Sequence, residues 1–239
     1  MNPFPIDLHI HSVLSPCADL NMSPRMIEPF LVKYGIRMIA IADHNSVLNY
    51  PAFVQFEQRG ITIIPAMELT TREELHLLCY FPDYASALRW QSRVDQLRLP
   101  LPNSSGLFGE QLIINENEEI IGEEPILLNQ AIAISLEDAV ESIHQLGGLA
   151  VPAHAEKPRF SVVSQLGFLP SDLAVDGLEL FDPQSLDIYQ THYSVIFSSD
   201  AHALEMLRPP RTCLWAERPV FDELKLAFAR QAGRYFQTL

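Results

Sequence analysis

The chain has 239 residues, of which 48% are hydrophobic and 19% are charged. This length and composition exclude a disordered protein and predict one globular domain over residues 1–239. The formal net charge is −14 at pH 7. An acidic surface repels a phosphate backbone, so the charge predicts no large nucleic-acid interface, although it is compatible with a pocket for one small phosphate.

Targeting signals and cysteine usage predict a cytoplasmic protein without a membrane partner. The N-terminal segment MNPFPIDLHIHS lacks the positive leader and the long apolar run of a signal peptide. No stretch approaches the roughly 18 apolar residues of a membrane span. Cys17, Cys79 and Cys213 are far apart and odd in number, which does not fit a disulfide framework. We expect each of them to be a small packed residue rather than a ligand.

Short apolar runs alternate with helical patterns along the chain. Taken in order, the runs predict strands at 6–10, 37–42, 61–66, 75–81, 149–153, 177–181 and 194–198. Helices are predicted at 24–34, 50–58, 84–97, 136–146 and 220–232. This alternation predicts an α/β fold with a parallel sheet or barrel.

Residues 100–130 interrupt the alternation. They begin with prolines, serines and a glycine and continue as QLIINENEEIIGEE, in which two apolar runs flank a polar turn. The pattern predicts a β-hairpin within an insertion. Its residues leave open whether the insertion shapes a pocket mouth or forms a subunit contact.

Histidines and carboxylates recur at the ends of the predicted strands. His9 and His11 are two residues apart on the first strand and point to the same face. His76 lies inside the apolar run LHLLCYF, where the alternative is a core histidine with a polar partner. In α/β barrels the C-terminal strand ends form one face, which would bring these side chains together. The other members of the set are His44, Glu68, His154, Asp200 and His202.

Mixed imidazole and carboxylate ligands suit zinc, manganese or iron. The set is larger than one ion can use, so we expect two or three divalent ions. A cluster of this kind can polarise a phosphoryl oxygen and generate hydroxide at neutral pH.

The motifs DLHIHS, IADHNS, MELTTREELHLLCYF, PAHAEKP and SSDAH together resemble those of the PHP (polymerase and histidinol phosphatase) family. The resemblance spans residues 7–202. It implies a distorted (βα)7 barrel and a trinuclear centre that hydrolyses phosphate esters with metal-bound hydroxide. Carried over to this chain, the resemblance implies a first ion held by His9, His11, Glu68 and Asp200, a second held by Glu68, His76 and His154, and a third held by Asp19, His44 and His202. Glu68 would then bridge two ions, and Glu68, Asp200 and His202 would be the catalytic residues.

Other charged residues near the motifs are candidates for supporting roles. Asp7 and Asp43 adjoin ligand positions, and they either orient imidazoles or are simply polar residues at strand ends. Substrate phosphate needs cations as well as metals. We expect Lys157 and Arg159, which leave the same strand end as His154, to bind it. Arg72 is a further candidate, and Arg208 and Arg211 are weaker ones.

Three functions remain open from the sequence. The first is a phosphoesterase that acts on a small phosphorylated metabolite or nucleotide. The second is a nuclease or an enzyme that processes oligonucleotide ends. The third is a noncatalytic metal-binding regulatory module, which the full set of ligand residues argues against.

Overall fold

The computed structural model describes residues 1–169 and 173–239. Eleven strands are present in these ranges: β1 Asn2–Ile10, β2 Met38–Ile41, β3 Thr62–Thr70, β4 His76–Tyr80, β5 Leu112–Ile114, β6 Ile120–Glu123, β7 Leu149–Pro152, β8 Leu178–Glu179, β9 Val195–Ile196, β10 Thr212–Ala216 and β11 Tyr235–Thr238.

Eight α-helices lie between these strands in the described ranges: α1 Pro24–Lys33, α2 Tyr50–Phe53, α3 Tyr84–Leu97, α4 Ser105–Phe108, α5 Leu136–Gln145, α6 Val162–Leu166, α7 Leu186–Tyr189 and α8 Phe221–Phe228. Short 3-10 helices occupy Val54–Arg59, Pro183–Ser185 and Leu204–Met206. Local sequence explains several helix starts. The Ser135 side chain, for example, accepts a hydrogen bond from the backbone N–H of Asp138 and so caps α5.

The main sheet has the strand order β11-β10-β1-β2-β3-β4-β7. Strands β1, β2 and β3 are parallel, whereas β4 is antiparallel to both β3 and β7. Strands β8 and β9 form a separate parallel pair. Two contacts join this pair to the main sheet. The N–H of Ala155, after β7, donates to the backbone carbonyl of Glu179 in β8. Ala201, after β9, forms a parallel β-bridge with Ile10 at the end of β1. The sheet therefore curls into a ring formed by β1, β2, β3, β4, β7, β8 and β9.

This ring is the α/β fold that the sequence predicts and the distorted barrel that the PHP resemblance implies. The predicted all-parallel arrangement is wrong at β4. The loop of residues 71–75 between β3 and β4 has no room for the helical crossover that a parallel connection needs. Strands β10 and β11 were not predicted, and they extend the sheet beyond β1 as an antiparallel edge.

Apolar side chains fill both the inside of the ring and the space beneath its helices. One cluster lies within the sheet and includes Leu8, Ala40, Leu78 and Val151. A second packs α3 and α5 against the outer face of the sheet and centres on Trp90, which is fully buried. These clusters fix the strands in register and so fix the strand ends.

The insertion folds as the sequence predicts. Strands β5 and β6 form an antiparallel hairpin around a polar turn. The hairpin is held to the barrel rather than projecting from it. The N–H of Leu112 donates to the carbonyl of Val13, and the Asn49 side chain donates to the carbonyl of Leu112. Within the described ranges, no helix combines the length and apolar character that crossing a membrane requires.

A pH-dependent contact joins α5 to the segment before β8. His144 Nε2 lies 2.8 Å from Asp176 Oδ2, and this hydrogen bond raises the pKa of His144 above 6.5. Because the folded pKa is raised, the contact stabilises the fold below about pH 6.5 and loses this effect as pH rises through the folded pKa.

We expect His144→Gln to lower the free energy of unfolding more at about pH 5.5 than at about pH 8.5. Both side chains are partly exposed, so the difference should stay below about 1 kcal/mol. Urea unfolding of both proteins at the two pH values measures it. An equal loss at both values would contradict the charge-dependent contact.

Candidate metal centre

Six histidines and two carboxylates converge at one end of the barrel. The ends of parallel strands β1, β2, β3, β7 and β9 meet there, as expected for the C-terminal face of an α/β barrel. Strand β4 runs in the opposite direction, so its first residue, His76, reaches the same end. The converging residues are His9, His11, His44, Glu68, His76, His154, Asp200 and His202.

Glu68 lies at the middle of this cluster and is 1% exposed. Its Oε1 atom is 2.8 Å from His76 Nδ1, and it also faces His9 at 3.3 Å and His154 at 3.4 Å. Its Oε2 atom faces His44 Nδ1 at 3.0 Å and His11 Nε2 at 3.4 Å. The two carboxylate oxygens therefore face different imidazoles, which is the arrangement that a bridging ligand needs.

Asp200 lies on the open side of the cluster. Its Oδ1 atom is 3.4 Å from His9 Nε2 and 3.5 Å from His11 Nε2. Its Oδ2 atom accepts a hydrogen bond of 2.6 Å from Lys157 Nζ. His154 and Asp200 both have positive φ values, 33° and 50°. Such backbone is unfavourable outside glycine and is found where surrounding structure fixes a side chain for a function.

The cluster has the properties of a cation site. Ligand atoms lie within 4.8 Å of one another in three groups among the described residues: His9, His11 and Glu68; His44, Glu68 and His76; and His11, His44 and His202. Both Glu68 oxygens and the Nδ1 atoms of His44 and His76 are buried without hydrogen-bond partners. Buried polar atoms of this kind are costly unless something satisfies them, and a divalent ion would do so. The nitrogen and oxygen donors suit zinc, manganese or iron.

The charge state of the cluster also suits a cation. Burial opposes ionisation of Glu68, but His76, His9 and His44 outweigh it and hold the pKa of Glu68 well below 4.5. Burial likewise opposes ionisation of Asp200, yet His9 and His11 keep its pKa well below 3.8. Burial outweighs the attraction of the Glu68 carboxylate and lowers the pKa of His76 to about 4.

Glu179 is a site residue that the sequence interpretation missed. Its carboxylate lies 3.0 Å from His9 Nδ1 and accepts a hydrogen bond from the backbone N–H of His154. An ionised carboxylate only accepts, so His9 donates from Nδ1 and presents the lone pair of Nε2 to the cluster. A lone glutamate within the apolar run GLELF was the available signal.

Asp43 orients His11 through a serine. Ser15 Oγ donates to Asp43 Oδ1 at 2.7 Å and lies 2.8 Å from His11 Nδ1. Because the serine proton goes to Asp43, His11 donates from Nδ1 and its Nε2 lone pair faces the cluster. Asp7 instead accepts from the backbone N–H groups of His9 and Ser199, so it positions backbone rather than an imidazole.

A cavity of about 390 Å³ opens onto the cluster and carries the cations Lys157 and Arg159. The Phe160 ring stacks on His76 with a centroid distance of 5.0 Å and remains 43% exposed. Arg72 is outside the cavity lining, and its guanidinium pairs with Glu73 at 3.1 Å. The remaining lining residues are His44, Glu68, His76, His154, Pro158, Asp200 and His202.

Arg208 and Arg211 also lie outside this lining. Arg211 donates two hydrogen bonds to the carbonyl of Phe181 and lies over the Phe197 ring. Arg208 has an exposed side chain that contacts the carbonyl of Met206.

The residues after β1 do not match the ligand set that the PHP resemblance implies. Asp19 is exposed and belongs to none of the three ligand groups found among the described residues. Cys17 is exposed as well and belongs to none of these groups either. Desolvation raises the pKa of the Cys17 thiol, but hydrogen bonding and charge from His202 and His44 outweigh it and lower the pKa to about 6.

Comparison with known proteins links this architecture to phosphoesterases and a nuclease. No protein-family model matches the chain. An uncharacterized protein of Methanocaldococcus jannaschii is 26% identical over 192 residues, which cover 76% of this chain and 83% of the relative. The lesion-specific endonuclease Q of Pyrococcus furiosus superposes over 98% of this chain with a TM-score of 0.73 and 21% identity. The chain spans 58% of the length of that endonuclease.

Further similar structures are described as metal-dependent phosphoesterases. A protein of Bifidobacterium adolescentis assigned as a metal-dependent phosphoesterase has a TM-score of 0.60 at 18% identity, over 95% of each chain. A two-domain protein of Bacteroides vulgatus, said to contain a PHP-like metal-dependent phosphoesterase, has a TM-score of 0.55 at 16% identity, over 92% of this chain and 61% of its own. The PHP-type fold that the motifs imply is therefore confirmed.

The expectation of a small phosphorylated substrate and no large nucleic-acid interface is contradicted by these neighbours. Endonuclease Q has been seen in complex with a 27-mer duplex that places an abasic lesion at its active site, and that structure has a TM-score of 0.71 to this chain. Net charge was an unsuitable guide, because it averages over the whole surface whereas a nucleic acid contacts only one part of it.

Glu179→Gln tests the role of the residue behind His9. A glutamine amide can also donate, so it no longer fixes His9 as a donor at Nδ1, and we expect metal affinity to fall by about 10- to 100-fold. Competition with a chelator measures the affinity, and Glu141→Gln on the exposed face of α5 is the matched control. Unchanged affinity in Glu179→Gln would show that Glu179 does not orient this ligand.

Proposed function

We propose that the chain is a metal-dependent phosphoesterase that hydrolyses phosphodiester bonds in a nucleic acid. The observation that carries the proposal is the convergence of six imidazoles on the buried, ionised Glu68, with Asp200 and Lys157 on the open side. We propose two or three ions of zinc, manganese or iron at this centre. We propose His9, His11, His44, His76, His154 and His202, together with Glu68 and Asp200, as their ligands.

Divalent ions bound there would act as Lewis acids and lower the pKa of water, which is the chemistry that phosphate ester hydrolysis needs. The chain supplies the positioning. Glu179 and Ser15 fix the imidazoles of His9 and His11 with their Nε2 atoms toward the centre. The ammonium of Lys157, beside Asp200, adds a positive charge where a substrate phosphate would enter. The neighbouring Arg159 offers a second cation in the same cavity.

The cavity mouth supports a nucleic-acid substrate. Phe160 presents an exposed ring next to His76, and Phe181 is 55% exposed with Lys157 Nζ 4.9 Å from its ring centroid. Exposed aromatic rings beside cations are suited to unstacked bases and their phosphates. The reactive cluster is buried, so a phosphate must protrude from its strand to reach it. This favours single-stranded or distorted substrate over regular duplex.

The structural similarity to endonuclease Q also supports phosphodiester hydrolysis, but this chain corresponds to only part of that protein. Because this chain corresponds to 58% of it, lesion selectivity is not carried over with the fold. The proposal is therefore restricted to phosphodiester hydrolysis. A cytoplasmic location stays a prediction, consistent with three free cysteines.

Strand cleavage tests the proposal directly. End-labelled single-stranded DNA, a matched duplex and a duplex with a stable tetrahydrofuran abasic site are each incubated with manganese, zinc or iron(II). We expect metal-dependent cleavage, faster on the single strand and the abasic duplex than on the matched duplex. In oxygen-18 water the new phosphate end should carry one labelled oxygen. Metal-loaded protein that cleaves none of these substrates would favour the noncatalytic metal-binding module.

Two carboxylate variants separate the centre from its surroundings. Glu68→Gln should lower the cleavage rate by at least about 100-fold, because a carboxamide cannot offer two anionic oxygens to the cluster. Asp19→Asn, a carboxylate change in the loop after β1, should change the rate far less, since Asp19 is exposed. Rates are compared at matched metal content. Comparable rates for Glu68→Gln and the unmodified chain would remove Glu68 from the mechanism.

A further inference from the structure

We propose that a single strand of nucleic acid leaves the cavity across Phe181, so that one base stacks on this ring and the phosphate beyond it binds Arg208. In this arrangement Arg211 holds Phe181 in place and adds positive charge. The inference rests on the proposed function, and it names the surface that holds the strand outside the metal centre. Both arginines lie beyond the residues that line the cavity.

Phe181 is held on three sides while its ring stays exposed. Its backbone N–H donates to Glu156 Oε1 at 2.8 Å, and its carbonyl accepts two hydrogen bonds of 3.1 Å from the Arg211 guanidinium. Lys157 Nζ lies 4.9 Å from the ring centroid, yet the residue is 55% exposed. A ring on a fixed backbone loses little conformational freedom when a base stacks on it, so Phe181 suits a stacking platform.

Positive charge continues from the cavity past this ring. Lys157 lines the cavity and contacts the Phe181 ring, whereas Arg211 contacts the Phe181 carbonyl. Arg208 lines the same surface recess as Arg211. Its side chain is exposed, and its hydrogen bond to a described residue is a long one of 3.4 Å to the carbonyl of Met206. The Arg208 guanidinium is therefore available to a phosphate.

The carboxylates beside this path are engaged with backbone. Glu156 accepts hydrogen bonds from the N–H groups of Phe181 and Asp182, and Asp182 accepts one from the N–H of Gln184. The two arginines donate to backbone carbonyls rather than to carboxylates of the described residues. Their charges therefore remain available to an anion.

The insertion gives another side of the centre the opposite charge. Residues 100–130 contain six glutamates and no lysine or arginine. The insertion packs on the loop after β1, where the N–H of Leu112 donates to the carbonyl of Val13, whereas Phe181 and Arg208 follow β8 and β9. A polyanion is repelled by the acidic side and attracted by the basic one. This asymmetry directs the strand over Phe181.

Equilibrium binding to the full, metal-loaded chain tests this path. The probe is a fluorescein-labelled oligothymidylate with phosphorothioate linkages, which keep the charge and resist hydrolysis, and its anisotropy is read over a range of salt concentrations. Arg208→Ala should weaken binding and reduce the slope of log Kd against log salt by about 0.7, the value for one phosphate contact on a single strand. Arg218→Ala is the matched control, because Arg218 is exposed and follows β10 at the opposite end of the barrel.

Phe181→Ala should change binding in a different way. It should weaken binding of the single strand about 5- to 150-fold and leave the salt slope unchanged, because stacking involves no phosphate charge. The same strand annealed to oligoadenylate should not show this loss, since its bases already stack within the duplex. An equal loss on single strand and duplex would overturn the stacking role of Phe181. An unchanged slope in Arg208→Ala, or an equal change in Arg218→Ala, would overturn the phosphate contact.

The outcomes separate this path from the proposed function, because the binding measurements require no hydrolysis. The expected losses of binding in a protein that cleaves no nucleic acid would support the path and refute the activity. Cleavage of single-stranded DNA with the same kcat/KM by Arg208→Ala and the unmodified chain would refute the path and support the activity.

Discussion

A buried negative charge governs this structure. Glu68 is 1% exposed and ionised, and isolated burial of a carboxylate is strongly unfavourable. Five imidazoles approach its two oxygens, yet both oxygens lack hydrogen bonds of proper geometry. Imidazoles that stayed neutral could not compensate the charge, and several positive imidazoles would repel one another. Divalent ions resolve both problems at once, so the cluster is most simply explained as a site assembled for metals.

The barrel delivers these ligands because each comes from a strand end. A strand end moves little when the apolar interior is packed, so residues far apart in sequence can be held within a few ångströms. The antiparallel direction of β4 serves the same purpose, because only an antiparallel strand brings its first residue, His76, to the end of the barrel where the other ligands lie. His154 and Asp200 both have a positive φ, which is unfavourable outside glycine and sets the direction of these two side chains.

Most of this arrangement could be predicted from the sequence, and the exceptions have a common cause. The spacing of His9 and His11 on a strand gives a shared face directly, and the barrel rule places His154 at the same end. Glu179 was missed because its role depends on β8 lying beside β7, which no local pattern encodes. The direction of β4 could have been inferred from the short loop that precedes it. Which residues of the loop after β1 approach the histidines depends on loop conformation, which spacing does not determine.

The net charge of −14 describes the whole surface and does not report the charge at the cavity. Exposed charges are screened over about 8 Å at physiological ionic strength, so acidic residues on remote helices contribute little at the cavity. The cations at the cavity are Lys157 and Arg159, and the candidate metal ligands lie behind them. The surrounding acidity would then weaken nonspecific binding of nucleic acid without weakening the local contact. A protein built in this way should depend on metal, more than on a broad basic surface, to hold its substrate.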